Sequence, residues 1–235
     1  MNSLPLHRTA FTLIEFLIVF AVISLLAALA VPSIVRAQRM ANESATQSLL
    51  HELVLAQESF RVAVVVDQDE DGIGEYGFLP ELTGLVSGRT DGAFDGPRPD
   101  PPILPQPLGV TDAWGHSSRG GFKLMVYLPT PEKPLAYSPQ LTAGNRNHAD
   151  LQEQFWVAYA WPAATESNGL RRFAVGPRGH IYTLTPGPEG WNPEQPPQAN
   201  SCPPAFRKRL PKQNPPPDPA NDNQDDFTGG WTLEK

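Results

Sequence analysis

One carboxylate stands in an unexpected place. Glu15 is the only charged residue in the apolar run from Phe11 to Val35. A charged side chain near the middle of a bilayer costs about 2.5–3.5 kcal/mol on insertion scales. That cost falls if the carboxylate reaches the near membrane interface, or if a cation pairs with it in the low-dielectric environment. Glu15 is therefore the first candidate for a functional residue.

A second group of acids follows about fifty residues later. Asp67, Asp69 and Asp71 alternate along the chain and Gly72 comes next, a pattern similar to the start of an EF-hand loop. Phe78 occupies the twelfth position, where that loop needs a bidentate glutamate. The three aspartates are thus weak candidates for binding Ca²⁺, and the alternative is a solvated acidic turn. No other cofactor is predicted.

Catalytic residues are not recognisable in the sequence. The five histidines lack the spacing of metal ligands. The segment around Ser117 departs from the G-x-S-x-G nucleophile motif because Arg119 stands where glycine is needed. Cys202 lies between a serine and a proline in a proline-rich stretch, a poor scaffold for a nucleophile. We therefore predict that the protein is not an enzyme.

Composition limits the foldable part of the 235-residue chain. The net charge of −7 argues against a nucleic-acid-binding protein, and a single cysteine excludes an intramolecular disulfide. Of the 27 prolines, six fall in residues 97–107 and twelve between residues 186 and 219. These stretches predict a loop and a disordered tail, with Trp231 as a candidate anchor for the chain end.

The first sixty-odd residues predict one long helix. Its apolar part, residues 11–35, would be about 37 Å long, enough to cross a hydrocarbon core of about 30 Å. Pro32 lies inside the pattern and is expected to kink or locally melt the helix. Small or apolar residues continue at helical spacing to about residue 64 and predict an amphipathic second half. These are Ala37, Ala41, Ala45, Leu49, Leu53, Ala56, Phe60 and Ala63.

The remaining pattern predicts a small antiparallel sheet. Alternating residues predict strands in the segments around residues 121–129 and 154–162, and "GPRG" predicts the turn of a hairpin between residues 171 and 184. The segment Tyr76–Leu82 is expected to dock on the helix. The fold class is thus α+β: a long helix packed on about four strands. The boundaries are a leader at 1–10, helix halves at 11–35 and 36–66, a head at 67–185 and a tail at 186–235.

The N-terminal residues resemble those of a known family. The stretch Ala10-Phe11-Thr12-Leu13-Ile14-Glu15, the apolar run behind it and Pro32 resemble type IV pilins and the pseudopilins of type II secretion. The resemblance implies that prepilin peptidase cuts between Ala10 and Phe11 and methylates the new amine of Phe11. The family nearly always has glycine where this chain has Ala10. Glu15 and Pro32 fall at the positions where the family has its assembly residues.

The resemblance also implies a function. The subunit would cross the inner membrane once, with the leader in the cytoplasm and the head outside, and would join a periplasmic or surface filament of pilin-like subunits through an assembly platform. In that filament Glu15 of one subunit would meet the cationic amine of a neighbour. Within the family, a type II secretion pseudopilin is the predicted role. The alternative is a membrane-anchored binding module that does not polymerise.

Overall fold

The computed structural model describes residues 12–112, 115–129, 149–164, 171–184 and 231–233. Predictions for the leader, for Ala10 and Phe11, and for the tail apart from residues 231–233 fall outside these ranges.

Helix α1 (Leu13–Val62) spans 50 residues and is the longest element in the described part of the chain. It begins at the N-cap Thr12 and continues without interruption through Pro32, so the local melting expected there does not occur. Two further helices are short: α2 (Leu79–Leu82) and α3 (Ala149–Gln152). A 3₁₀ helix (Gln106–Leu108) lies in the predicted proline-rich loop.

The second half of α1 buries one face against the head. Its buried residues are Glu43, Thr46, Leu50, Leu53, Ala56, Gln57 and Phe60. The predicted burial of Leu53, Ala56 and Phe60 is confirmed. Contrary to the prediction, the alanines at the two ends of the pattern are exposed: Ala37, Ala41, Ala45 and Ala63. The buried face of α1 also includes polar side chains that bond to residues of the head. Hydrophobic periodicity alone does not detect such positions.

Within the described residues, six antiparallel strands form one sheet in the order of the chain. They are β1 (Ser117–Arg119), β2 (Phe122–Tyr127), β3 (Val157–Pro162), β4 (Arg172–Val175), β5 (Tyr182–Leu184) and β6 (Trp231–Leu233). The four predicted strands correspond to β2–β5, and the sequence pattern missed the two edge strands, each of three residues. Strand β6 comes from the segment that was predicted to be tail. The predicted α+β class is confirmed.

Both faces of the central strands β2–β5 pack into buried hydrophobic clusters. On the helix side, residues such as Leu124, Val126 and Trp156 share a core with Leu53 and Phe60 of α1. A second cluster on the other side holds Met125, Tyr127, Val157, Tyr159, Trp161, Ala174 and Leu184. The predicted alternation along β3 is confirmed, because odd-numbered residues join one cluster and even-numbered residues the other.

A side-chain clamp holds the segment after α1 against the helix. The Gln57 amide nitrogen donates to the carbonyl of Gly77 at 2.7 Å, and the N–H of Gly77 donates to the Gln57 amide oxygen at 2.9 Å. Gln57 is fully buried. Position 77 also requires glycine, because a Cβ there would lie 2.8 Å from the Phe60 ring.

We expect Gln57→Met to lower the free energy of unfolding by about 2–4 kcal/mol, since two buried backbone groups lose their partner while the side-chain volume is kept. Denaturant unfolding of the full chain in detergent micelles measures this loss. Ser48→Ala, an exposed change on the same helix, is the control and should lie within about 0.5 kcal/mol of the unsubstituted protein. Equal stability of the two variants would contradict the clamp.

Candidate functional site

Glu15 closes a capping box at the start of α1. Its Oε2 accepts from the Thr12 N–H at 2.8 Å and from the Thr12 hydroxyl at 2.7 Å. In return, the Glu15 N–H donates to the Thr12 Oγ1 at 3.3 Å. These bonds satisfy backbone donors that a helix start otherwise leaves without a partner.

The capping box gives Glu15 a role within its own subunit that the sequence analysis did not consider. The signal was present, since a threonine followed three residues later by glutamate is the sequence form of this motif. Glu15 is nevertheless exposed, so its charge stays accessible to a cation from outside the subunit. One carboxylate can fill both roles. Its oxygens accept the hydrogen bonds of the capping box, and its negative charge attracts a cation from outside the subunit.

The apolar half of α1 is exposed throughout. Residues 12–34 are all exposed, and no part of the apolar window is buried in the subunit. Leu13, Phe16 and Leu29 are exposed by 62–78%. The helix is long and apolar enough to cross a membrane. A continuous apolar surface of this length needs lipid or other protein around it.

Pro32 lies on the surface of α1, in a shallow cleft with Leu29, Arg36 and Met40. It has no N–H to donate to the carbonyl one turn earlier, which is a local weak point in the helix. The Ser33 hydroxyl donates to the carbonyl of Ala30 at 2.8 Å and stabilises the same turn.

The three candidate aspartates meet at the end of the turn that follows α1. Oxygens of Asp67, Asp69 and Asp71 lie within 4.8 Å of one another. Asp69 also lies within 4.8 Å of Asp150 and Glu153, which come from α3 and the residue after it. Asp150 and Glu153 were not predicted from the sequence, because only the tertiary fold brings them to the turn.

Two curated proteins are similar to the chain. It is 35% identical over 142 residues to the type IV major pilin protein PilA of Myxococcus xanthus, an alignment that covers 60% of this chain and 63% of that protein. It is 40% identical over 56 residues to the type IV wide pilus major component PilA4 of Thermus thermophilus, covering 24% of this chain and 43% of that protein. The chain is therefore similar to type IV pilins.

The alignments span 63% and 43% of the two relatives, less than two thirds of either. No family model matches this chain, and no solved structure matches it significantly.

An ion pair joins helix α1 to the sheet. Glu43, on the buried face of α1, accepts from the Arg171 Nε at 2.7 Å and from the Arg171 N–H at 3.3 Å. Arg171 directly precedes β4, and its guanidinium lies 5.6 Å from the centre of the Phe173 ring. The pair fixes where the sheet sits along the helix, close to the point at which the exposed apolar half ends.

A buried ionic network organises the segment between Glu75 and Arg89. Arg89 contacts the carboxylate of Glu81 and lies 3.4 Å from that of Glu75, and it donates to the carbonyl of Tyr76 at 2.7 Å. All three charged side chains are at most 1% exposed. Burial raises the pKa of Glu75 and of Glu81, and Arg89 offsets part of that rise.

Proposed function

We propose that this protein is a type IV pilin, a structural subunit of a pilus-like filament. The observation that carries the proposal is the fully exposed apolar half of α1, which has no partner in the described part of the subunit and suits burial among copies of itself. Stacking these helices in a screw would replace lipid contacts by protein contacts. Head-to-tail contacts that do not close produce such filaments. The names of the two relatives support this function, since both are pilus components.

The proposed maturation supplies the cation that Glu15 needs. Prepilin peptidase would remove residues 1–10 and methylate the amine of Phe11. A chain-terminal amine has a reference pKa of about 7.7–8.0, so it would be largely cationic at neutral pH. That charge would lie at the positive end of the helix dipole, which disfavours it locally, and a carboxylate from a neighbouring subunit would offset the cost. Glu15 is the acid available for this pairing on the exposed helix.

The proposed location follows from the same features. Residues 13–35 would hold the unassembled subunit in the inner membrane as a single span, with the head outside. The assembly platform would then extract subunits into a periplasmic or surface filament. The names of both relatives favour a pilus over a secretion pseudopilus. The type II secretion role stays a prediction, and a deletion strain that keeps normal secretion but loses surface filaments would count against it.

We expect intact-mass measurement of membrane-extracted protein to find a chain that lacks residues 1–10 and carries one added methyl group. The alternative, an anchored binding module that does not polymerise, predicts an unprocessed chain. Ala10→Gly is the matched variant, because it restores the residue common in the family before the cut and should be processed at least as completely. A chain that still begins with Met1 in both proteins would contradict the proposed maturation.

A further inference from the structure

Two distant segments of the chain meet beside the end of α1. The turn that carries Asp67, Asp69 and Asp71 lies next to α3, and the Tyr76 N–H donates to the carbonyl of Gln152 at 2.9 Å. Asp150 and Glu153 therefore reach the same place from the other segment. We call these five acids, Asp67, Asp69, Asp71, Asp150 and Glu153, the acidic cluster.

Glu153 is buried in the acidic cluster, and one of its carboxylate oxygens has no hydrogen-bond partner. It is only 8% exposed, its Oε1 has no hydrogen-bond donor, and its carboxylate lies within 4.8 Å of Asp69 and Asp150. Burial and then repulsion from Asp71, Asp69 and Asp150 raise the pKa of Glu153 to about 7. A buried carboxylate surrounded by other carboxylates is costly unless a cation binds there.

Two other carboxylate oxygens of the acidic cluster also lack a hydrogen-bond donor. One carboxylate oxygen of Asp67 and one of Asp69 are buried and have no hydrogen-bond donor. The second oxygen of Asp67 accepts from the Gly72 N–H at 3.1 Å, and one of Asp71 accepts from the Ile73 N–H at 2.7 Å. The turn is therefore held by one set of oxygens while another set is left for a ligand.

We propose that the acidic cluster is a Ca²⁺ site that joins the turn after α1 to α3. The donors are all carboxylate oxygens, which suit a hard cation, and the cluster contains no histidine or cysteine that would favour zinc. Oxygens bound to one Ca²⁺ at about 2.3–2.6 Å lie at most about 5 Å apart. The oxygens of Asp67, Asp69 and Asp71 lie within 4.8 Å of one another, as do those of Asp69, Asp150 and Glu153, and both sets fit that geometry. Asp69 belongs to both sets and so links them.

Calcium suits the site better than magnesium. Ca²⁺ accepts six to eight oxygens in irregular arrangements, whereas Mg²⁺ requires a near-octahedral shell and keeps several waters. The acidic cluster combines a loop with a short helix, and such an arrangement can adjust to an irregular shell of oxygens. The ion would connect the end of α1 to the segment that leads into β3, and so would brace the head against the helix.

Titration of the full-length protein in detergent micelles with CaCl₂ tests the site. After EDTA treatment, calorimetry should give binding with a dissociation constant of about 10⁻⁴–10⁻³ M, the range of extracellular Ca²⁺ modules. The midpoint of thermal unfolding should rise with CaCl₂ and rise less with MgCl₂ at the same concentration. Absence of both heat and a thermal shift at about 10 mM CaCl₂ would overturn the proposal.

Two variants separate ion binding from a structural role. Asp150 is exposed, so Asp150→Asn should fold normally and weaken Ca²⁺ binding at least tenfold. Glu153→Gln should unfold at a higher temperature than the unsubstituted protein in EDTA, because it removes a repelled buried charge, yet lose the rise caused by Ca²⁺. Glu52→Gln, an exposed change on α1, should leave the Ca²⁺ response unchanged. An unchanged response in both cluster variants would overturn the proposal.

Discussion

We expect Glu15→Gln to abolish filament formation while the subunit stays folded and inserted in the membrane. Glutamine keeps the length and the acceptor oxygen of glutamate, and it serves in capping boxes, so the helix start should survive. Only the charge is removed. If that charge pairs with the amine of a neighbouring subunit, its loss leaves a cation unpaired in a low-dielectric core, and each subunit of the growing fibre bears the cost. Electron microscopy of sheared cell fractions measures the outcome.

Thr12→Ala is the matched control for the capping role. It removes the hydroxyl that bonds to Glu15 but leaves the charge. Loss of an N-cap typically costs about 1 kcal/mol, so this variant should insert and still form filaments. Glu15→Leu removes both functions and should insert without assembling. If Glu15→Gln formed filaments and Thr12→Ala did not, the role of Glu15 in assembly would be the capping of its own helix. That result would contradict the pairing role.

The second large effect concerns the buried network of the head. We expect Arg89→Met to lower the free energy of unfolding by about 3–5 kcal/mol at neutral pH, since two buried carboxylates lose their cation. Methionine roughly follows the aliphatic part of the arginine side chain, which limits the contribution of lost packing. Arg98→Met is the control: Arg98 is exposed, and its change should cost less than about 0.5 kcal/mol.

The pH dependence of this variant identifies the cause. Burial raises the pKa of Glu75 and Glu81 above the unfolded values, and removing Arg89 should raise both further. A carboxyl group whose pKa is higher in the folded than in the unfolded state lowers the free energy of unfolding at a pH at which it is ionised. This loss of stability disappears as the pH falls and the group becomes protonated in the folded protein. The stability gap between Arg89→Met and the unsubstituted protein should therefore narrow as the pH falls from 7 toward about 4.5. A gap that does not change with pH would indicate lost packing instead.

The sequence predicted the elements with strong periodicity. The long helix, its approximate end and the four central strands were predictable, because apolar spacing of 3.6 or 2 residues persists over each of them. The edge strands β1 and β6 were missed, since three residues are too short for a period. The helix also passes Pro32 without melting, and the turn before it is rich in the strong helix formers Ala and Leu.

Polar residues in buried positions were the main source of error. Glu43 does not belong to the apolar pattern of α1, yet it is buried and pairs with Arg171, a partner more than a hundred residues away in the chain. Gln57 and Arg89 are buried for similar reasons. Periodicity cannot identify such residues, because their burial depends on partners that only the tertiary fold supplies.

The candidate sites differ in how far the sequence could predict them. Glu15 stands out by its surroundings, and the resemblance to pilins gave it a role. The acidic turn was recognisable from three alternating aspartates. The acidic cluster was not, because Asp150 and Glu153 join it only through the backbone contact between Tyr76 and Gln152.

Electron cryomicroscopy of filaments from the unsubstituted protein, at a resolution that defines side chains, tests the pairing most directly. We predict that the fibre core consists of the apolar halves of α1, that each chain begins at Phe11, and that its amine nitrogen lies within about 4 Å of the Glu15 carboxylate of a neighbour. Chains that keep residues 1–10, or a Glu15 carboxylate in the fibre that contacts only its own Thr12, would contradict the account.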